Sequence, residues 1–390
     1  MLKKIVLITA GGAIASFHAA FHAMYETLMR IAPGKFELVG ARNGFTGLLN
    51  GDFVPICAED ICVDRAGSMI GSDRKLVDPK KIAEAVQKHN IHATIVMGGD
   101  NHLGEAARCW KDQQVNVVGY PKTMDGDLNS FITLGYETAV TVGSLAVRNH
   151  HSTAITFDRV FFVGLFGRDT DWVLTAVTAY GGGDFGIPCE QEYRWDYILE
   201  KIKAACRHNQ ERFGEAFAVI PYSEGARIQG VSLPPVGHCS MDDFGQVKLQ
   251  PEWLGMDVHR LCKQAGLSAA HQSHTYDLRD NPPTETDKRL SAMAGGRCME
   301  MVLEGRFGNA VVFRPSGDFY EVGEAPLEEV AQKRAVLHTG YFDYETLKPT
   351  PAFIRDYGNL FRASLGEPPQ KEDLVYPVMR KPRQSGGPAT

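Results

Sequence analysis

The stretch His92-Ala-Thr-Ile-Val-Met97, running straight into Gly98-Gly-Asp-Asn-His-Leu-Gly104 and on through an amphipathic segment to Trp110, decides the fold. A short β-branched run reads as a strand, the paired glycines as a tight turn, and the apolar spacing after them as a helix. The pattern recurs on both sides. Residues 4–9 read as a strand, Gly11-Gly12 as a turn and residues 14–31 as a helix; residues 36–40 and 115–118 read as further strands, with 80–89 as a helix between them. Strands alternating with helices predict βαβ units and a parallel sheet. A second series starts after residues 134–149, with a strand at 160–165, helices at 172–180 and 195–208, and a strand at 216–221. Helices near 253–264 and 285–303 complete it. The expectation is an α/β protein of two Rossmann-like, doubly wound domains with the boundary near residue 138 and a peripheral tail from about Gly366.

Length and composition agree with this. The chain has 390 residues, enough for roughly two or three domains. With 41 basic against 47 acidic residues and a net charge of −6, it lacks the basic surplus of a nucleic-acid coat protein. Its eight cysteines form no C-x-x-C pair and read as reduced core thiols of a cytoplasmic protein. The apolar run at residues 5–10 is short and is broken by Gly11-Gly12, which favours a first strand over a secretory leader. No run reaches the eighteen or more apolar residues of a membrane span, so no membrane partner is expected.

In doubly wound sheets ligands lie beyond the carboxyl ends of the strands, so the residues just after each strand carry the chemistry. Four such turns stand out. In Gly98-Gly-Asp100 the glycines let the backbone approach an anion, the next helix offers unpaired N–H groups, and Asp100 can hold a cation; the alternative is Asp100 as a helix N-cap. In Pro121-Lys-Thr-Met-Asp-Gly-Asp-Leu128, Asp125 and Asp127 share one face of an extended segment. One can serve as base while the other supports a metal, with Lys122 as a nearby point charge; the alternative is a solvated acidic turn. Phe166-Gly-Arg-Asp-Thr-Asp-Trp172 places Arg168 at a strand end as an anion clamp, or as a partner of Asp169 or Asp171. In Pro221-Tyr-Ser-Glu-Gly225, Glu224 can accept hydrogen bonds from sugar hydroxyls or cap the next turn.

Together these turns resemble the phosphofructokinase family, and more closely its pyrophosphate-dependent branch. Eight pieces match in the family's order: residues 7–12, Gly44-Phe-Thr-Gly-Leu-Leu49, Gly71-Ser-Asp-Arg74, Gly98-Gly-Asp100, Pro121-Lys-Thr-Met-Asp125, Gly167-Arg168, Ser223-Glu-Gly225, and Tyr276 with Arg279 and Asp287. The resemblance spans roughly residues 1–300.

The resemblance implies phosphoryl transfer, a reaction that asks mainly for alignment, a base for the alcohol and positive charge on the equatorial oxygens. Asp125 would take the proton of the sugar 1-hydroxyl, Asp100 and Asp127 would place Mg2+, and Arg168 would sit beside the transferring phosphoryl group. Gly11, Gly12, Arg74, Gly99, Asn101, Lys122 and Thr123 would hold the donor phosphates. Asn101 and Lys122 stand where ATP users have glycine, which implies pyrophosphate as donor. Gly167, Glu224, Tyr276 and Arg279 would hold fructose 6-phosphate, with Arg159 reaching in from a neighbouring subunit of a homodimer or homotetramer. Residues 1–137 with about 278–305 would form the donor-phosphate domain, 138–277 with about 306–350 the sugar-phosphate domain, and 351–390 a C-terminal extension.

Departures from the pattern fall at Ala13–Ser16, at Asn101 where pyrophosphate users have Asp, at Gly126 where Asn is usual, at Asp169 and Asp171, and at Ala270-His-Gln-Ser-His274, where relatives have a cation and either a histidine would substitute or the pocket would be weaker. They leave open another acceptor, such as sedoheptulose 7-phosphate, use of ATP, or a non-catalytic sugar-phosphate sensor. Gly181-Gly-Gly-Asp-Phe-Gly186 satisfies a dinucleotide fingerprint only formally, because it follows a helix rather than a strand. His18 and His22, four apart, read as packing or surface residues, and the basic tail at 380–383 as a solvated end.

Overall fold

The computed structural model describes residues 2–231, 241 and 249–376. The first sheet contains β1 (Lys3–Thr9), β2 (Phe36–Ala41), β3 (Phe53–Pro55), β4 (Ile91–Gly98) and β5 (Val117–Pro121). Strands β1, β2, β4 and β5 run parallel, and β3 closes one edge antiparallel to β2. Along β1 the side chains alternate between two cores. Ile5 and Leu7 face the core shared with the helices α1 (Phe17–Ile31) and Glu285–Glu304, while Val6 and Ile8 face the one containing Leu103 and Ile82. Burial on both faces explains why these strands read as unbroken apolar runs. The helices α2 (Phe45–Asn50), α3 (Pro79–Lys88) and α4 (Asp100–Gln113) belong to this half.

The other edge of the sheet departs from expectation. Strands Asn309–Ser316 and Phe319–Pro326 form an antiparallel hairpin that continues the first sheet beyond β5, giving seven strands. The expected placement of 306–350 with the sugar-phosphate half is therefore corrected for this hairpin. A hairpin in mixed polar sequence has no helix between its strands, so it lacks the alternation that marks the rest.

The second sheet is three parallel strands, with β6 (Val160–Leu165) between Ala218–Ser223 and Ala269–His274. Helix α5 (Tyr136–Thr156) leads into β6, and α6 (Trp172–Gly181) leaves the turn beyond it. The strand Ala269–His274, read from sequence only as a histidine-bearing stretch, is half-buried with few large apolar side chains. Helix Pro351–Leu365 buries Phe353, Tyr357, Leu360 and Phe361 in the main core, so the segment before Gly366 belongs to the body of the protein.

Cys109, Cys189, Cys206, Cys262 and Cys298 are buried and free, as core thiols should be, but Cys57 is half-buried and Cys62 exposed. Cys239 and the basic tail at 380–383 lie outside the described residues. Among the described residues no helix is long and apolar enough to cross a membrane.

Candidate active site

The carboxyl ends of both sheets open into one cleft of about 420 Å³. The turn after β1 brings Gly11 and Gly12, and that after β4 brings Gly99, Asp100 and Asn101. Lys122, Thr123, Asp125 and Asp127 follow β5, and Gly167 and Arg168 follow β6. Glu224 follows Ala218–Ser223, Tyr276 and Arg279 follow Ala269–His274, and Arg74 completes the lining. Only Arg159 among the expected residues is elsewhere. It precedes β6, at the end of the strand opposite Arg168, and its guanidinium lies 4.4 Å above the Phe157 ring.

Helix α4 starts with Gly99 as N-cap and no side-chain cap bond, which removes the reading of Asp100 as a cap. Asp100 is instead the first helical residue, beside N–H groups that lack intrahelical acceptors and favour an anion. Across from it Lys122 is only 3% exposed and donates from Nζ to the Gly12 carbonyl oxygen at 2.8 Å. Burial, together with the Arg279 and Arg74 charges, brings the Lys122 ammonium down to about 7, against the pull of Asp125 and Asp100. A bound phosphate would restore its charge, because an anion at the site favours the protonated form. His102 packs behind it, pushed down to about 3 by burial and the Lys122 charge, and so is a neutral wall.

Of the paired glycines, Gly11 is required by its backbone, and both lie against the ends of long cationic side chains. Gly11 has φ +86°, and a Cβ there would stand 2.9 Å from Lys122 Nζ; one at Gly12 would stand 2.9 Å from Arg279 Nη1. Gly126 has the same kind of cause. At φ +76° its missing side chain would strike the Tyr136 ring and Trp172 Cβ, so the shape of the surrounding core accounts for glycine between the two aspartates.

Thr123 Oγ1 donates to Asp125 Oδ2 at 2.9 Å and accepts from the Asp125 backbone N–H at 3.1 Å, which fixes the carboxylate's orientation. Burial first, then the Asp125 charge, raises both neighbouring carboxyls. Glu224 is pushed up to about 8 against Arg279 and Arg168, and buried Asp127 is raised against Lys333. Among the described residues no three His, Cys, Asp or Glu side chains form a complete metal cage. Mg2+ does not need one: it commonly takes one or two carboxylates and completes its shell with phosphate oxygens and water. Asp100 and Asp127 fit that use.

Asp169 and Asp171, expected together on the acceptor side, part company. Asp169 lines the cleft and accepts from Arg168 Nε at 3.2 Å and Nη2 at 3.1 Å. Burial would raise its carboxyl, but the bonds from Arg168 and Lys333 prevail and hold it below the usual range. Asp171 is fully buried outside the cleft, accepting from the backbone N–H groups of Cys189 and Glu190 and from Ser223 Oγ. Its role is to fasten the turn after β6, so it does not crowd an acceptor. Asp287 is likewise buried, accepting from Gly135 N and Thr138 Oγ1. The histidine expected as a substitute cation is also absent from the cleft: His274 pairs with Asp277 at 2.7 Å and with His150 at 3.1 Å, and His271 is likewise outside the lining.

Among the described residues, one charged residue of the site escapes the sequence reading. Lys333 lines the cleft, 3.5 Å from Asp100 and 3.0 Å from Asp169. It follows no strand of either sheet, and Gln332-Lys-Arg334 has no motif to draw notice. Phe166, just beyond β6, also contributes; the Arg279 guanidinium stacks 4.2 Å over its ring.

Comparison with known proteins places this architecture. Residues 4–302 match the phosphofructokinase family model. The chain is 28% identical to an ATP-dependent 6-phosphofructokinase of Clostridium perfringens, over 82% of this chain and 90% of the relative. It is 29% identical to a pyrophosphate–fructose 6-phosphate 1-phosphotransferase of Amycolatopsis mediterranei, over 80% and 90%. Among solved structures, the pyrophosphate-dependent phosphofructokinase of Marinobacter aquaeolei superposes with a TM-score of 0.75 at 19% identity, covering 98% of this chain and 99% of that one. That of Nitrosospira multiformis gives 0.76 at 17% identity, over 99% and 100%. The structural likeness is one of fold, and the match along the chain carries the kinship: this protein is a divergent member of the phosphofructokinase family.

Proposed function

We propose that this protein transfers a phosphoryl group from pyrophosphate to the 1-hydroxyl of fructose 6-phosphate, reversibly and with Mg2+. The observation that carries the donor is Lys122. Its buried ammonium, anchored on the Gly12 carbonyl, lines the cleft together with Asn101. Two side chains there narrow the path for a nucleotide, while a terminal phosphate gains a cation. Relatives named for ATP and for pyrophosphate match about equally well, so the reading rests on these residues rather than on kinship.

In the reaction Asp125, oriented by Thr123, accepts the hydroxyl proton as the sugar oxygen bonds to the terminal phosphorus. The bridging P–O bond breaks and orthophosphate leaves, its charge met by Lys122, Arg74 and the N-terminus of α4. Arg168 turns from Asp169 toward the transferring group. Glu224, protonated at neutral pH, can donate as well as accept at the sugar. When bound by Asp100 and Asp127, Mg2+ supplies neutralisation of the phosphate oxygens. Arg279 and Tyr276 take the 6-phosphate, completed by Arg159 of a second copy in a homo-oligomer, since Arg159 cannot reach the cleft of its own chain.

A second acceptor reading is favoured by two observations: Asp169 adds an acid at the cleft, and among the described residues no histidine contributes a cation there. The acceptor then is another sugar phosphate, such as sedoheptulose 7-phosphate. Turnover of pyrophosphate and of ATP, each against a panel of sugar phosphates with Mg2+, tests both. Pyrophosphate should exceed ATP by at least about tenfold, a discrimination of about 1.4 kcal/mol that one steric overlap supplies. Asn101→Gly with Lys122→Gly should shift preference toward ATP. Efficient ATP use by the unaltered protein would refute the donor assignment.

A further inference from the structure

The segment that delivers Lys333 is fixed to the loop carrying Asp127. Leu128 and Lys333 form an antiparallel bridge, Arg334 N donates to the Asp127 carbonyl oxygen at 2.7 Å, and Asn129 N donates to the carbonyls of Val330 and Gln332. Arg334 locks the arrangement, donating from Nε to the Leu128 carbonyl at 3.0 Å while its guanidinium lies 4.7 Å over the Trp172 ring. Held at its backbone on both sides, Lys333 extends into the cleft and sets its ammonium between Asp100 and Asp169 at 3.5 and 3.0 Å. The charges of Asp100, Asp127 and Asp169 all act on it, so it remains an ammonium despite burial.

We infer that Lys333 is a tethered cation competing with the divalent metal for Asp100 and Asp127, so that metal entry displaces its ammonium from Asp100 onto Asp169. The inference rests on the reading of Asp100 and Asp127 as the metal carboxylates. Two features of the geometry support competition over a plain surface ion pair. The ammonium stands on one of the two carboxylates proposed for the metal and acts by charge on the other, and a second acceptor, Asp169, is already within bonding distance to receive it. The outcome is a donor site whose acids are partly neutralised before any metal arrives and whose metal affinity is set below what its carboxylates alone would give. Lys333 is thus a positioning and affinity-setting residue, acting through the metal rather than on the phosphoryl group.

The test is direct binding of Mn2+ to the full-length protein without any phosphate, followed by electron paramagnetic resonance, for wild type, Lys333→Met, Lys333→Gln, Lys333→Arg and Arg168→Met. Both neutral variants should bind Mn2+ about tenfold more tightly than wild type, within the usual range of coupling between two ligands. Lys333→Arg, which keeps the charge, should stay near wild type. Arg168→Met, which removes a charge that touches Asp169 but not Asp100, should tighten binding much less. Unchanged or weaker binding in the neutral variants, or equal tightening by Arg168→Met, overturns the competition. If no variant and no wild type binds Mn2+, the metal assignment falls with it; the donor and acceptor assignments stand or fall separately on turnover.

Discussion

The two walls of the cleft are built differently. On the side of the first sheet, Lys122 is 3% exposed, His102 is held neutral behind it, and Gly11 turns through a left-handed backbone at φ +86°. On the side of the second sheet, Tyr276 is 68% exposed, Arg168 is held by Asp169, and Arg159 points away at the far end of β6. On the first wall burial fixes both the position and the charge state of Lys122. The second is mixed: burial shifts Glu224 and Arg279 as it shifts Lys122, while Tyr276 and Arg168 stand more open to solvent.

The largest effect expected from this contrast lies where the walls meet. Asp125→Asn should lower kcat by about 10²–10⁴, the span of general acid–base catalysis, with little change in KM. Steady-state kinetics decides it, and near-normal turnover would take Asp125 out of the mechanism.

Next is the open wall. Arg159→Ala should raise KM for the sugar phosphate about ten- to a hundredfold, the worth of one charged hydrogen bond of about 1.5–3 kcal/mol, with kcat less affected. Its guanidinium lies over the exposed Phe157 ring rather than in the core, so the melting temperature should change little. Sedimentation should show at least a dimer. A fully active monomer would break the comparison, because the second wall would then be complete in one chain.

The smallest effect sharpens the electrostatic difference. Burial and Asp125 raise the Glu224 carboxyl from 4.5 to about 8, so in that window the native state holds a proton that the unfolded chain has released. Stability therefore falls as pH rises through the window, and the cost is complete above its upper end. Glu224→Gln removes this term. Its melting temperature relative to wild type should climb steadily from about pH 5 to about pH 9, while a flat difference would mean Glu224 is ionised in the folded protein.

How far the sequence carries depends on whether a residue's place follows from its own neighbours. Gly11, Asp100, Lys122, Asp125, Arg168 and Glu224 were legible because each stands within a few residues of a strand end, and a parallel sheet sends all such ends to one side. The pairing of Asp169 and Asp171 was not. Two residues apart, they look alike in sequence, yet Asp171 turns inward because Cys189, Glu190 and Ser223, all far along the chain, offer it donors. The hairpin at Asn309–Pro326 was missed because antiparallel strands in mixed polar sequence carry no periodic mark, and its joining to the first sheet is a long-range pairing with β5.

The sequence by itself determined the βαβ rhythm, the family and the group of charged residues at the strand ends, since each is set by short-range pattern. Only the tertiary structure decided which charges oppose one another. Lys333 reaches Asp100 across more than two hundred residues of chain, and whether two such groups meet depends on the closure of loops and the packing of cores rather than on anything adjacent to either. The charge state of Lys122 and Glu224 was decided there as well, because the loss of water that shifts them comes from the walls assembled around them.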